Sequence, residues 1–318
     1  MKKILALLLA LWIPAAVLSG CAPQDDSAAS NKLNIVTTIF PAYDWVREIL
    51  GDETDRAEIT TLLDSGVDLH SYQPTVDDIV KISDCDLFLY VGGESDGWVD
   101  DALKNAPNKD RKVIRLLDVL GDSAKAEETV EGMQEEEHDH EEEELDEHVW
   151  TTPGNAAKIC YALCDKLCEL DPDNANEYML NYEVYNAKLM ELDIDIRTTV
   201  MNGARKTLVF ADRFPMRYFT REYGLTYYAA YPGCASQTEP SAKTVAFLID
   251  HVREENIPAV LYMEFSNEKM ADVICEDTGC KKLPFYSAHS ITAQQFEDGV
   301  TYLDLMRMNI ETLKEALY

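Results

Sequence analysis

Residues 171–203 read DPDNANEYMLNYEVYNAKLMELDIDIRTTVMNG, and this stretch decides the architecture. Its apolar side chains at Tyr178, Tyr182, Tyr185, Leu189, Leu192 and Ile196 alternate steps of four and three. That spacing lays them along one face of an α-helix. Asp171 stands where a cap belongs, with Pro172 at the first helical position, where its missing N–H costs nothing. Asn202-Gly203 offers a left-handed stop. At about 1.5 Å per residue, roughly 30 residues make a rod of about 45 Å. Such a rod is long for one compact globule and suits a connector between two units.

Both flanks support that reading, because each alternates short apolar runs with helical stretches. On the N-terminal side, runs at 33–38, 58–63, 86–91 and 112–116 predict strands. Helices are expected over about 41–50, 75–83, 95–105 and 153–170, with Thr75 and Asp78 as a capping pair for the second. Beyond the long helix, strands are expected at 206–211, 225–230, 259–263 and 282–286, with helices at 215–223, 241–255, 267–276 and 299–317. Alternation of this kind implies an α/β fold of two similar lobes, each a mainly parallel sheet flanked by helices, joined by one long helix. The expected domains are an N-terminal lobe over 33–170, the linking helix over 171–203 and a C-terminal lobe over 204–318. Ligands in such sheets bind beyond the carboxyl ends of the strands.

The start of the chain is an address rather than part of the fold. Lys2 and Lys3 precede an apolar run from Ile4 to Leu18, followed by Ser19-Gly20-Cys21. This is the layout of a secretory signal over residues 1–21, too short for a comfortable membrane span. Leu18-Ser19-Gly20-Cys21 resembles the lipobox of bacterial lipoproteins, which implies lipidation at Cys21. Residues 22–32 then form a polar, flexible tether. The 318 residues carry a formal net charge of −31, which excludes nucleic acid as a partner. Much of the excess lies in an acidic loop at about 122–147, including the run Glu135 to Glu144, which cannot bury itself.

Eight cysteines less Cys21 leave seven, an odd number for an exported chain. Cys160, Cys164 and Cys168 recur every fourth residue and read as one buried helix face. Cys275 and Cys280 flank the end of a helix, at a spacing open to a small-loop disulfide.

Of six histidines, His138 and His140 fall in the acidic loop and His251 on a charged helix face, where solvation is the simple expectation. His70, His148 and His289 remain, each in a loop beside a regular element. Asp212 and Glu264 join them at strand ends. Neutral imidazoles with carboxylates suit zinc, manganese or iron.

Several stretches resemble one family, the metal-binding lipoproteins of ATP-driven zinc and manganese importers, known as cluster A-I solute-binding proteins. Thr37-Thr38-Ile39-Phe40-Pro41-Ala42-Tyr43-Asp44 is similar to the family's opening strand and helix. Gly66-Val67-Asp68-Leu69-His70-Ser71-Tyr72-Gln73-Pro74 resembles its Pro-His-x-Tyr-x-Pro loop, with Leu69 in place of the usual proline. Asp146-Glu147-His148-Val149-Trp150 resembles Asp-Pro-His-x-Trp, and Tyr302-Leu303-Asp304-Leu305-Met306-Arg307-Met308-Asn309 its terminal helix. The likeness covers about Asn34 to Leu317 and implies two α/β lobes on a long helix. It makes His70 and His148 metal ligands.

The second half departs from the family pattern. The third ligand place, a histidine or glutamate, reads Phe210-Ala211-Asp212-Arg213-Phe214-Pro215. Counting from the strand gives Asp212 and counting back from Tyr218 gives Arg213; arginine cannot ligate a cation, so Asp212 is the expected ligand. The fourth place falls on Tyr286-Ser287-Ala288-His289-Ser290, which assigns His289. Glu264 is expected to orient an imidazole from behind or to serve as an alternative ligand.

The resemblance implies an extracytoplasmic lipoprotein, a monomer held at the cell membrane by its lipid, that captures a divalent metal and delivers it to an ABC permease. Three imidazoles and one carboxylate favour zinc over manganese. The residues leave open a manganese-specific relative. They also leave open a zinc metallohydrolase, with Glu264 as base and a coordination position kept for water. A surface adhesin that keeps the fold is a further alternative.

Overall fold

The computed structural model describes residues 32–63, 66–104, 106–134, 144–235 and 240–318, apart from the side chains of 52–54. The signal and lipobox over 1–21, the tether through Asn31 and the acidic core of the loop, with His138 and His140, lie outside them.

In chain order the N-terminal half contains β1 (Leu33–Thr37), α1 (Phe40–Leu50), β2 (Ala57–Thr61), α2 (Val76–Asp84), β3 (Leu87–Tyr90), α3 (Val99–Lys104), β4 (Lys112–Arg115), α4 (Leu116–Leu120) and α5 (Pro153–Leu170). The long helix α6 (Ala175–Asn202) follows. The C-terminal half contains β5 (Thr207–Phe214), α7 (Arg217–Tyr223), β6 (Thr226–Pro232), α8 (Ala242–Glu254), β7 (Ala259–Met263), α9 (Lys269–Thr278), β8 (Lys281–Phe285), α10 (Ala293–Glu297) and α11 (Tyr302–Leu317).

Each half has one four-stranded sheet, ordered β2-β1-β3-β4 and β6-β5-β7-β8, and every neighbouring pair is parallel. The two lobes repeat one topology. In each, the chain crosses from one side of the first strand to the other, which opens a crevice at the carboxyl ends. Burial on both faces explains the unbroken apolar run of β3, whose four residues are all buried. Polar side chains set the helix starts. Thr75 and Asp78 close a reciprocal capping box on α2, as Thr301 and Asp304 do on α11, and Thr152 caps α5 ahead of Pro153.

The stripe on α6 is buried at Tyr178, Tyr185, Leu189, Leu192 and Ile196, with Tyr182 packed at its edge. It joins a continuous apolar core that runs through both halves and includes Trp45, Trp150, Phe210, Phe285 and Tyr302. Hydrogen bonds cross the junction as well. Trp150 Nε1 donates to Ser287 O at 2.7 Å, and Tyr302 OH donates to Trp150 O at 2.7 Å. Tyr302 N–H donates to Asp44 at 2.9 Å, and Phe40 N–H to His289 O at 3.0 Å.

Both ends of the long helix differ from expectation. Pro172–Asn174 forms a separate 3-10 turn, and α6 begins at Ala175. Asp171 makes no capping bond to the backbone; its carboxylate instead accepts from Asn174 Nδ2 and Tyr178 OH, both at 2.7 Å. Gly203 is not left-handed, with φ −63° and ψ 137°. Glycine is required there for space, because a Cβ would sit 2.8 Å from Leu317 Cβ at the end of α11. Gly203→Ala is therefore expected to destabilise the fold by about 1–3 kcal/mol through overpacking. Thermal denaturation checks this, and an unchanged midpoint would count against the contact.

Candidate metal centre

The loops at the strand ends converge on a cavity of about 30 Å³ whose lining includes His70, His148, Arg213, Met263, Glu264 and His289. His70 sits in a short 3-10 turn, Leu69–Ser71, anchored by buried Leu69 and started by Asp68, whose Oδ1 accepts the His70 N–H at 2.8 Å. His148 follows two buried acids, and its own N–H donates to Asp146 Oδ1 at 2.8 Å. His289 lies in the loop after β8.

Each imidazole is held through Nδ1. His70 Nδ1 is 2.9 Å from Ser95 Oγ and 3.6 Å from Glu147 Oε2. His148 Nδ1 is 3.2 Å from Asp146 Oδ1. His289 Nδ1 is 2.8 Å from Ser287 Oγ, which in turn donates to Glu264 Oε1 at 2.7 Å. With the proton on Nδ1, each Nε2 presents a lone pair. The Nε2 atoms of His70 and His148 face one another at 3.2 Å. Two lone pairs at that distance repel unless a proton or a cation lies between them. A tetrahedral zinc with Zn–N bonds of about 2.0–2.1 Å has N···N edges of about 3.3–3.4 Å. The separation therefore fits a shared ion.

The surrounding charge favours a cation. Asp146 and Glu147 are each 1% exposed, and Glu147 Oε2 has no hydrogen-bond donor among the described residues. Burial lifts Glu147 above the ordinary carboxylate range. Burial also tends to raise Glu264, but the His289 contact and the N–H donors of the β8 loop outweigh it and hold that carboxylate low. Burial and the adjacent His148 keep His70 well below the ordinary imidazole value. His148 moves the other way: burial alone would lower it, and the Asp146 hydrogen bond with the nearby carboxylates more than offsets this.

Asp212 is placed outside this cavity. Its Oδ1 accepts the Arg213 N–H at 2.8 Å, its Oδ2 accepts the Met263 N–H at 3.1 Å, and it lines a separate cavity beside α9. The pairing of β5 with β6 shifts register between Phe210 and Arg213. Arg213 is thereby the side chain that enters, and its guanidinium pairs with Asp68. Burial would raise Asp68, but Arg213 holds it down at about 2.

Sequence reasoning passed over Cys234. Among the described residues, the ligand atoms of His70, His148 and Cys234 all lie within 4.8 Å of one another. The available signal was the odd cysteine count and the Pro232-Gly233-Cys234 turn. Gly233 allows close packing there, since a Cβ would meet Phe214 O at 2.8 Å and His148 Cε1 at 3.1 Å.

The other cysteine and histidine expectations divide. Cys160 and Cys164 are buried in α5, Cys168 lies at its edge, and Cys275 and Cys280 bring their sulfurs to 3.3 Å without a bond. His251 is not solvated: its side chain is 13% exposed and lies against Tyr228, with ring centroids 3.7 Å apart.

Two parallel α/β lobes with a ligand cavity between their strand ends define a two-lobed solute-binding protein. The family profile described as "Zinc-uptake complex component A periplasmic" (ZnuA) matches residues 35–316. The high-affinity zinc uptake system protein ZnuA of Bacillus subtilis strain 168 is 31% identical over 294 residues, covering 90% of this chain and 88% of that protein. The zinc-binding lipoprotein AdcA of Streptococcus pneumoniae R6 is 30% identical over 322 residues, covering 99% of this chain and 61% of AdcA. Among solved structures, the metal-dependent lipoprotein YcdH of Bacillus subtilis superposes with a TM-score of 0.74 at 28% identity, covering 90% of this chain and 99% of that one. The Zn(II)-bound ZnuA-like domain of Streptococcus pneumoniae AdcA gives a TM-score of 0.72 at 27% identity, with the same coverage of each chain, 90% and 99%. The chain belongs to the ZnuA family of zinc-uptake solute-binding proteins.

Proposed function

We propose that this protein captures zinc outside the cytoplasm, between its two lobes, and delivers it to the permease of an ATP-driven importer. The observation that carries the reading is the pair of Nε2 atoms at 3.2 Å, each ring fixed from behind through Nδ1. His70, His148 and His289 are the imidazole donors, and Glu264 orients His289 through Ser287. The zinc-binding names of the relatives point the same way.

Capture suits Glu264 better than hydrolysis does. Its Oε1 accepts from Ser287 Oγ and the Ala288 N–H, its Oε2 from the Ser287 N–H, and the side chain is only 6% exposed to water. A general base needs a free oxygen within reach of water. Zinc is favoured over manganese because the donors facing the cavity are imidazoles. The shared core and the hydrogen bonds across the junction oppose wide hinge opening. Release then proceeds by local movement of the loops carrying His70 and His289.

The lipid at Cys21 and a monomeric state belong to the same proposal. Among the described residues no helix is long and apolar enough to cross a membrane. Cys21→Ser should abolish incorporation of labelled fatty acid and release the protein from cells; retention of label would remove Cys21 as the anchor. Elemental analysis with a zinc–manganese competition titration tests the cargo. Equal or tighter manganese binding would overturn the assignment.

A further inference from the structure

We propose that Cys234 is a zinc ligand, so that the site is built from imidazoles and one thiolate rather than from imidazoles and a carboxylate. This deepens the zinc-capture reading and rests on it. The motivating geometry is the cluster itself. The Cys234 sulfur and the ligand atoms of His70 and His148 lie within 4.8 Å of one another. His289 lines one cavity with His70, His148 and Gly233, outside that cluster.

Three further observations support the assignment. First, the side chain that β5 sends into the cavity is Arg213, which has no lone pair to give and is committed to Asp68. The C-terminal lobe must offer its second donor from elsewhere, and the next loop to reach the cavity is the one after β6. Second, that loop is pinned. The Cys234 N–H donates to Glu127 Oε1 at 2.8 Å, and Arg213 donates to Ala235 O at 3.3 Å. Third, Gly233 lets the backbone press against the His148 ring, which brings the following side chain to the histidine pair.

A distance below 4.8 Å also fits the chemistry. Zn–S bonds of about 2.3 Å and Zn–N bonds of about 2.0 Å place S and N about 3.5 Å apart around a tetrahedral ion. Coordination replaces the S–H bond with a Zn–S bond, and the proton leaves to solvent. No oxidant is needed, and zinc keeps its charge.

A thiolate also has a consequence for selectivity. Sulfur favours zinc and copper(I) over manganese, which takes oxygen donors. Cys234 would then carry much of the discrimination against manganese, in a site where Asp212 faces away.

The test uses the full chain, reduced and loaded with zinc or with cobalt(II). X-ray absorption at the zinc edge should show one sulfur at about 2.3 Å beside nitrogens at about 2.0 Å. The cobalt form should show a near-ultraviolet thiolate-to-metal charge-transfer band. Cys234→Ser should lose both signals and weaken zinc at least about 100-fold, beyond the roughly 10–100-fold typical of losing an outer partner. Manganese affinity should change far less. Cys234→His should restore most of the zinc affinity without the band, which separates ligation from a folding defect. A zinc shell of nitrogen and oxygen alone, or unchanged zinc affinity in Cys234→Ser, overturns the proposal. If that variant is unchanged while His70→Ala and His148→Ala both lose zinc, only the thiolate assignment fails. If those two variants also keep zinc, the capture reading fails with it.

Discussion

His148→Ala is expected to lower zinc affinity at least about 100-fold while leaving a soluble, folded protein. The lower bound follows because disturbing an outer partner alone costs about 10–100-fold. Here the loss includes a coordination bond. It also leaves Asp146, 1% exposed, without the imidazole it orients. His148 itself is 3% exposed, so truncation opens a small cavity of the kind that costs stability, yet the core residues around Trp150 stay in place. His70→Ala is expected to behave alike in zinc affinity with less effect on stability, since His70 is only partly buried. A competition titration against a chelator of known affinity reads the first effect, and circular dichroism reads the second. Unchanged zinc affinity in a folded His148→Ala protein would remove the residue from the site.

The parts of this architecture that depend on local spacing were legible from the chain. The four-and-three stripe of α6 and the Thr75–Asp78 cap are dictated by residues close in sequence, and both stand as expected. Inner strands such as β3 and β7 follow from short apolar runs that a parallel sheet buries on both faces. His70 and His148, which the structure brings to one cavity, each sit in a stretch whose neighbours fix it: Asp68 for one and Asp146 for the other. The cavity lining includes His289 as well.

What depended on register or on distant packing was not legible. Choosing between Asp212 and Arg213 required knowing which way β5 turns at its end. A one-residue slip moves a side chain to the opposite face. The irregularity between Phe210 and Arg213 is a property of pairing with β6, and no spacing within β5 announces it. Chemistry favoured the aspartate, while geometry admitted the arginine. Cys234 was missed for a related reason: its partners are 164 and 86 residues away in sequence, counting from 234 to 70 and 148. Gly203 does end α6, but with φ −63° rather than in the left-handed region, and its small size serves the packing against Leu317. In each case the residue type was informative and the contact that used it was tertiary.

Zinc affinity should fall steeply with acid, and the shape of that fall should be set by Asp146. Metal and proton compete for the same Nε2 lone pairs, so each imidazole protonated in the free protein adds one proton to the exchange. His148 is held above the ordinary imidazole value of about 6.5, so its proton competes first as the pH drops. His70 is held below that value by burial and by His148, so its proton competes only in more acidic solution. The affinity should therefore begin to fall near neutral pH, where His148 takes up its proton, and steepen in the more acidic range where His70 follows. Asp146→Asn separates protonation from donor strength. Without the carboxylate, His148 loses its main compensation for burial and should titrate at lower pH, so the acid loss of zinc starts later. The same change makes the imidazole a poorer donor, and affinity at pH 7.5 should drop by about 10–100-fold. The two effects have opposite signs, so the affinity profiles of variant and parent should converge toward acid. Parallel profiles would show that Asp146 acts on affinity without controlling the His148 proton. An earlier acid loss in the variant would show that Asp146 does not raise His148 at all.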